Sequence, residues 1–260
     1  MIDQLKKIVV LTGKRLLDLR KSTNIEGSWI GSQFKSDSDL IAHNQILSML
    51  KLNFPGIKII SEEDSKADIV PSSDYFLVDP IDGTASYANG FSGFVVQICY
   101  LEKNKPVLCV IYAPVFDQLY WAEKNKGSFV NLKRLIVQNN FPLEFHTIID
   151  NYSTPKGICQ SLVKQLNIPN YYECGSISLK ICKIAEESAD LFVKDIQPRD
   201  WDLAAPDLVL QEAGGFLSNI RGKPIVYGKI GRQHNGLIAT TSKDKLIKIS
   251  ESVRKVIAFS

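Results

Sequence analysis

The hydrophobic pattern near the N-terminus predicts two helices. In the first, apolar residues recur at helical spacing, at Ile2, Leu5, Val9, Leu16 and Leu19. The second is predicted to begin between Ser36 and Ser38, where serine can cap a helix, and to stop before Pro55. Its apolar side is formed by Ala42, Ile46, Leu47 and Leu50.

Strands are predicted to dominate the next stretch, and the turn EKNKP favours antiparallel neighbours. These strands span residues 57–60, 75–78, 94–101, 107–112 and 118–121. After about residue 140, strands alternate with helices. The strands there are 147–149, 191–193 and 236–240, and the helices are 155–166, 178–187, 202–212 and one at the C-terminus. We predict an α+β half over residues 1–140 and an α/β half over 141–260, packed as one globular unit.

Composition and charge narrow the classes of function. The net charge is +3, from 31 basic and 28 acidic residues, and the basic residues form no stripe along the sequence. We therefore expect neither nucleic-acid nor membrane binding. No run of about 18 apolar residues predicts a membrane span. The N-terminus does not resemble a secretory signal. The five cysteines form no CxxC pair, and their odd number favours a reducing, cytoplasmic location.

Acidic residues gather in three separate segments, each beside a predicted regular element. They are SEED (Ser61 to Asp64), VDPID with Asp79 and Asp82, and RDWDLAAPD with Asp200, Asp202 and Asp207. Each segment alone has a simpler explanation, because acidic residues also form solvated loops, turns and helix caps. If the segments converge, the carboxylates would repel one another unless a cation neutralised them. Mg²⁺ suits such hard oxygen ligands and keeps positions for water and phosphate.

The residues after Asp82 add a phosphate-binding feature to this hypothesis. Gly83 and Thr84 are predicted to begin a helix, where free backbone N–H groups favour phosphate. Carboxylates, a divalent cation and a phosphate cradle are the parts required for metal-assisted hydrolysis of a phosphate ester.

Several segments resemble the inositol monophosphatase superfamily. VDPIDGT (Val78 to Thr84) is similar to its main signature, SEE (Ser61 to Glu63) to its upstream acidic step, and WDLAAPDLVLQEAGG (residues 201–215) to its second signature. SDSDLIAHNQIL, beginning at Ser36, resembles a helix of the family that carries a further aspartate. The resemblance implies a layered αβαβα sandwich and a Mg²⁺-dependent phosphatase that acts on a small phosphorylated metabolite.

Site roles follow from this resemblance position by position. It implies that Glu63, Asp79 and the Ile81 carbonyl bind one metal ion, and that Asp79, Asp82 and Asp202 bind a second. Asp39 would lie near a third, weaker ion and is counted with Glu63 and Thr84 among the catalytic residues. Glu63 and Thr84 would activate a water that attacks phosphorus directly, and Gly83 and Thr84 amides would hold phosphate oxygens. The resemblance also implies two or three Mg²⁺ ions, lithium inhibition in many members and frequent homodimers.

The substrate is predicted from the second half of the chain. GSISLKICKIAEESADLF, which begins at Gly175, resembles CysQ-type 3′(2′),5′-bisphosphate nucleotidases, and Lys180 would meet an additional phosphate. The expected product would be AMP, formed by loss of the 3′-phosphate of 3′-phosphoadenosine 5′-phosphate. The alternative is an inositol monophosphatase, in which Asp195 would contact a sugar hydroxyl. The expected substrate-binding residues are Gly83, Thr84, Ser176, Lys180, Asp195 and Asp202.

Overall fold

The computed structural model describes residues 1–22, 27–30, 33–64, 74–138, 143–229 and 231–258. Within these ranges the helices are α1 (Ile2–Ser22), α2 (Asp37–Asn53), α3 (Thr84–Ala88), α4 (Gly157–Leu166), α5 (Ile177–Ala185), α6 (Asp200–Ala213) and α7 (Lys243–Ala258). The strands are β1 (Gly27–Ile30), β2 (Gln33–Ser36), β3 (Lys58–Ser61), β4 (Tyr75–Asp82), β5 (Val95–Glu102), β6 (Lys105–Ala113), β7 (Gln118–Glu123), β8 (Gly127–Val130), β9 (Lys133–Leu135), β10 (Thr147–Asp150), β11 (Asn170–Glu173), β12 (Leu191–Lys194), β13 (Phe216–Ser218) and β14 (Leu237–Thr240).

The described residues form three sheets, which are the two-stranded pair β1-β2 and two larger sheets that carry the core. The large sheet has the strand order β3-β4-β5-β6-β7-β8-β9, and the small sheet has the order β11-β10-β12-β14-β13. Helices α1 and α2 pack on one face of the large sheet, where Leu5, Ile8 and Ile46 are fully buried. Helices α5 and α6 lie on its other face, and both also contact the small sheet. Helices α4 and α7 cover the outer face of the small sheet. The predicted αβαβα sandwich is therefore confirmed.

One predicted pairing is wrong. Strands β3 and β4 run parallel, with Ile59 beside Phe76, although antiparallel neighbours were expected throughout this stretch. A parallel pair cannot be joined by a tight hairpin, whereas the antiparallel pairs from β4 to β9 follow one another along the chain. The β5–β6 turn fits the antiparallel prediction, because Lys103 and Asn104 both have the positive φ that a tight hairpin requires.

Several short strands were not predicted. They are β1, β2, β8, β9, β11 and β13. All have three or four residues, too few for an alternating pattern to stand out, and each is fixed by its pairing with a neighbouring strand. The division of the chain near residue 140 stays a prediction, although one hydrophobic cluster joins residues from both sides of it, such as Leu77 and Phe192.

Candidate active site

The end of strand β4 carries Asp79 and Asp82, and an irregularity in the strand sets their directions. Asp79 pairs with Gln97 and Asp82 pairs with Val95, so β4 has one residue more than β5 over this interval. In a regular strand two residues three apart point to opposite faces, whereas a one-residue bulge brings them to the same side. Pro80 has no N–H to leave unpaired within the bulge. The backbone N–H of Ile81 donates to Asp79 Oδ1 at 3.1 Å and orients that carboxylate.

Asp202 joins these two residues from the first turn of α6. Each of Asp79, Asp82 and Asp202 offers a carboxylate oxygen within 4.8 Å of the others. Asp79 and Asp82 are buried, and the backbone N–H of Arg199 donates to Asp202 Oδ2 at 2.7 Å. Burial, followed by the nearby charges of Asp82 and Glu62, holds the pKa of Asp202 well above its usual range. Crowded, desolvated carboxylates of this kind are the donor set that a hard divalent cation stabilises, so these residues fit a metal ion.

Helix α5 holds Asp82 by its N-terminus. Asp82 Oδ2 accepts hydrogen bonds from Ser176 Oγ at 2.8 Å and from the backbone N–H of Ser178 at 2.7 Å. Ile177 N–H donates to Oδ1 at 3.3 Å. Ser176 Oγ also accepts from Leu179 N–H at 2.8 Å and thereby caps the helix. A negative carboxylate is favourable at this position because helix N-termini carry unsatisfied N–H groups and a positive partial charge.

Ser178 also links α5 to α6 by a hydrogen bond to a backbone carbonyl of α6. Pro206 lies within α6 and has no N–H to donate to the carbonyl of Asp202, one turn earlier. Ser178 Oγ donates to that carbonyl at 3.0 Å. Ser178 therefore contacts both Asp82 and Asp202, and the first turns of α5 and α6 are held together at the carboxylate cluster.

Gly83 and Thr84 lie beside the cluster, as predicted, at the start of the short helix α3. Gly83 has φ of +93°, and a Cβ there would lie 3.0 Å from the carbonyl oxygen of Gly93 and 3.3 Å from Ser176 Cβ, so glycine is required. Thr84 Oγ1 lies within hydrogen-bonding distance of Asp39 Oδ1, at 2.9 Å, and of the Ile81 carbonyl, at 3.0 Å. Their phosphate-binding role stays a prediction.

Asp39 is a buried carboxylate at the start of α2. Its Oδ2 accepts hydrogen bonds from the backbone N–H and the hydroxyl of Ser36 at 2.8 and 2.7 Å. Burial raises the pKa of Asp39, the bonds to Ser36 and Thr84 oppose that rise, and the charge of Glu63 adds to it. Glu63 therefore lies close enough to act on Asp39.

The adjacent Glu62 was not among the predicted site residues. Its charge contributes to the raised pKa of Asp202, whereas the charge of Glu63 contributes to that of Asp39. Glu62 thus lies near enough to Asp202, and Glu63 near enough to Asp39, for its charge to act on that carboxylate. Neighbouring residues after a strand point in different directions, so the sequence pair could not show which glutamate would face which group. Metal binding by Glu63 stays a prediction.

Two of the predicted substrate residues have surroundings that the sequence did not show. The Lys180 ammonium is buried and donates to the carbonyls of Cys174, at 3.1 Å, and of Gly175. Burial lowers the pKa of Lys180 to about 8. These contacts show Lys180 holding the loop that leads into Ser176, and its contact with a second phosphate stays a prediction. Asp195 is exposed just after β12.

The remaining aspartates of α6 do not join the cluster. Asp200 accepts hydrogen bonds from Arg232 Nη1 at 3.1 Å and from the Gly228 N–H at 2.9 Å, and lies 2.7 Å from His234 Nε2. Asp207 accepts from Tyr227 and Gln211, at 2.6 and 2.7 Å. Of the three acidic residues in RDWDLAAPD, only Asp202 contributes to the metal-type group found among the described residues.

A family model decides the identity. The model described as Inositol monophosphatase family matches residues 12–255. The chain belongs to the inositol monophosphatase family. The resemblance predicted from the motifs is thereby confirmed, and the protein is a metal-dependent phosphatase of a family that acts on small phosphorylated substrates.

Curated relatives of this family carry different names. A "Fructose-1,6-bisphosphatase/inositol-1-monophosphatase" of Aquifex aeolicus is 30% identical over 233 residues, which are 85% of this chain and 86% of that protein. A "3′(2′),5′-bisphosphate nucleotidase CysQ" of Buchnera aphidicola is 30% identical over 247 residues, 89% of each protein. The crystal structure of the extragenic suppressor protein SuhB of Bartonella henselae superposes with a TM-score of 0.83 at 25% identity, covering 97% of this chain and 98% of that one. Across the described residues, none of the helices has the length and apolar character to span a membrane.

Proposed function

We propose that this member of the inositol monophosphatase family removes the 3′-phosphate of 3′-phosphoadenosine 5′-phosphate, giving AMP and inorganic phosphate with Mg²⁺ as cofactor. The convergence of Asp79, Asp82 and Asp202 carries the proposal of metal-dependent chemistry. The choice of a bisphosphate nucleotide rests on the likeness to proteins named CysQ, and on the resemblance of the GSISLK sequence to the CysQ pattern.

The proposed metal ligands are oxygen donors. Asp79, Asp82 and Asp202 would hold one Mg²⁺ ion, and Asp79, Glu63 and the Ile81 carbonyl would hold another. Glu62 is a further carboxylate on the side of Asp202. Bound Mg²⁺ would polarise the phosphate ester and make water a better nucleophile. Two or three ions, and inhibition by lithium, are part of this proposal.

The chain's own residues would orient the attacking water and hold the phosphate. Thr84 Oγ1 lies 2.9 Å from Asp39 Oδ1, so a proton could pass between these two groups, and the charge of Glu63 acts on the same carboxylate. Burial raises the pKa of Asp39, which makes that carboxylate a better proton acceptor. Gly83, with its positive φ and no Cβ, is the type of residue that lets a ligand come close to the backbone, and a phosphate oxygen would bind there. Ser176 and Asp202 would then line the leaving-group side.

A second candidate activity is inositol monophosphatase. The Aquifex aeolicus relative carries this activity in its name, and Asp195 is exposed, as contact with a sugar hydroxyl would require. Lys180, in contrast, is buried against backbone carbonyls, which weakens the argument for a second phosphate at that residue. We further propose a homodimer and a cytoplasmic location, the latter from the reduced, buried cysteines.

Phosphate release in the presence of Mg²⁺ tests the proposal. 3′-Phosphoadenosine 5′-phosphate, inositol 1-phosphate and fructose 1,6-bisphosphate would be compared at matched concentrations. We expect the highest kcat/KM for the nucleotide. A preference for inositol 1-phosphate would instead support the second candidate activity, inositol monophosphatase. The inactive reference is Asp79→Asn, matched by Asp74→Asn, an exposed aspartate just before the same strand. If Asp79→Asn retained turnover, the site itself would be refuted.

A further inference from the structure

Gln97 is a buried polar side chain that the chemistry above does not use. It lies on β5 directly opposite Asp79 and is 1% exposed. We propose that Gln97 is a positioning residue that joins the two metal-binding segments, the end of β4 and the start of α6, and sets the affinity of the site for a divalent cation. This inference rests on the metal site of the proposed function.

The Gln97 amide spans two acceptors that are distant in sequence. Its Nε2 lies 2.9 Å from the carbonyl oxygen of Trp201, the residue before Asp202, and 3.4 Å from Asp79 Oδ2. The other oxygen of Asp79 accepts from the Ile81 N–H. Each Asp79 oxygen therefore has a donor, which fixes the plane of the carboxylate. A carboxylate has about four lone-pair positions, so one donor on each oxygen is compatible with cation binding.

The orientation of the amide is set by these contacts. If it were reversed, the amide oxygen would face a carboxylate and a carbonyl, and like acceptors repel each other. In the observed orientation Gln97 Oε1 is buried and has no hydrogen-bond partner among the described residues. Burying an amide oxygen in this way is unfavourable, and an apolar residue of the same length would avoid it. The unsatisfied oxygen is explained if the two bonds made by Nε2 are what the site requires.

A neutral donor suits this position better than a charged one. Asp79, Asp82 and Asp202 repel one another in a buried site, and a donor to Asp79 offsets part of that repulsion. A lysine or arginine would do so with a positive charge that competes with the cation. The amide supplies direction without charge, which is how partners behind metal ligands commonly tune affinity.

Titration with Mn²⁺ alone, followed by electron paramagnetic resonance, tests the inference without relying on turnover. The variant is Gln97→Met, which keeps length and burial but removes the donor. We expect the affinity for Mn²⁺ to fall about 10-fold or more. We also expect the melting temperature of Gln97→Met to rise less than that of the wild type on adding Mn²⁺. If Gln97 had a purely structural role, Gln97→Met would lower the melting temperature by the same amount with and without Mn²⁺. Its affinity for Mn²⁺ would then equal that of the wild type.

The matched control is Cys99→Ala, two residues further along β5, where the side chain is also buried. Its affinity for Mn²⁺ should equal that of the wild type, even if its melting temperature falls. If Gln97→Met does not fold, Gln97→Asn serves instead, because the shorter amide cannot reach both acceptors. Wild-type affinity in either variant overturns the inference alone. Failure of the wild type to bind Mn²⁺ more tightly than Asp79→Asn overturns the proposed metal site and the inference with it.

Discussion

Helix α6 carries three aspartates in three different environments, with Asp200 and Asp207 buried and Asp202 partly buried. Asp202 lies among other carboxylates, and its neighbours Asp82 and Glu62 oppose its ionisation. Asp207 lies among neutral donors, the Tyr227 hydroxyl and the Gln211 amide. Burial raises the pKa of both aspartates, so burial does not distinguish them. The partners do.

This difference separates a metal site from a structural network. A buried carboxylate with hydrogen-bond donors is satisfied by the protein itself. A buried carboxylate facing other carboxylates needs a proton or a cation from solution. Asp200 is a third case, since the fully buried Arg232 supplies its positive charge. Among these three aspartates, Asp202 is the one that a divalent cation would stabilise.

Replacing each aspartate by asparagine gives the largest expected contrast. Asp202→Asn removes a proposed metal ligand, so kcat/KM should fall by at least about 100-fold. A loss of about 100-fold is the largest typical effect of mutating a residue that only supports a metal ligand. Asp207→Asn is the matched control on the same helix and should keep turnover near the wild-type value, because its partners are neutral. Phosphate release with Mg²⁺ measures both.

The metal-free stability of the same pair makes the contrast sharper. Without a cation, Asp202→Asn should be at least as stable as the wild type at pH 8, because the amide relieves repulsion from Asp82 and Glu62. Urea unfolding in the presence of a chelator measures this. A clear loss of stability in metal-free Asp202→Asn would mean that Asp202 is a structural group, and the comparison would fail.

Much of the site could be predicted because its ligands lie in short segments. Asp79 and Asp82 stand together at the end of one apolar strand, and Gly83 follows with the positive φ that its position requires. The long helices α1 and α2 likewise carry clear periodic patterns. Within such segments, spacing along the chain and position in space are closely related.

The rest could not be predicted because it depends on contacts across the chain. Ser176 and Ser178 reach Asp82 only because α5 docks against the end of β4. Gln97 meets Trp201 through the packing of α6 on the large sheet. Which of Asp200, Asp202 and Asp207 joins the carboxylate cluster depends on partners such as Arg232 and Tyr227. No local sequence pattern predicts these partners. The bulge that aligns Asp79 with Asp82 is also a property of the paired strands.

Helix α5 offers the same comparison with lysines, at a smaller expected effect. Lys180 donates to the loop before Ser176, whereas Lys183 is bonded to Gln118, Tyr120 and Glu186 on the side of β7. Lys180→Met should loosen the loop that supports Ser176 and lower kcat by about 10-fold for nucleotide and inositol phosphate alike. Steady-state kinetics with both substrates measures this, and Lys183→Met is the matched control. A rise in KM confined to the nucleotide would instead support contact between Lys180 and a second phosphate.

The last contrast concerns stability alone, with no expected effect on turnover, and returns to Asp207. Burial raises the pKa of Asp207 to about 6, from an ordinary value of 3.8. Between these values the folded protein holds a proton that the unfolded chain has released, so this group lowers the free energy of unfolding as pH rises through the window. Asp207→Asn removes that dependence and should gain stability relative to the wild type on going from pH 4 to pH 7, by at most about 3 kcal/mol. Urea unfolding at both pH values measures the difference, with the exposed Asp74→Asn as control. If the free energy of unfolding changed with pH in the same way for Asp207→Asn and the wild type, burial would not raise the pKa of Asp207. The contrast between Asp207 and a solvated aspartate would then be smaller than its contacts with Tyr227 and Gln211 indicate.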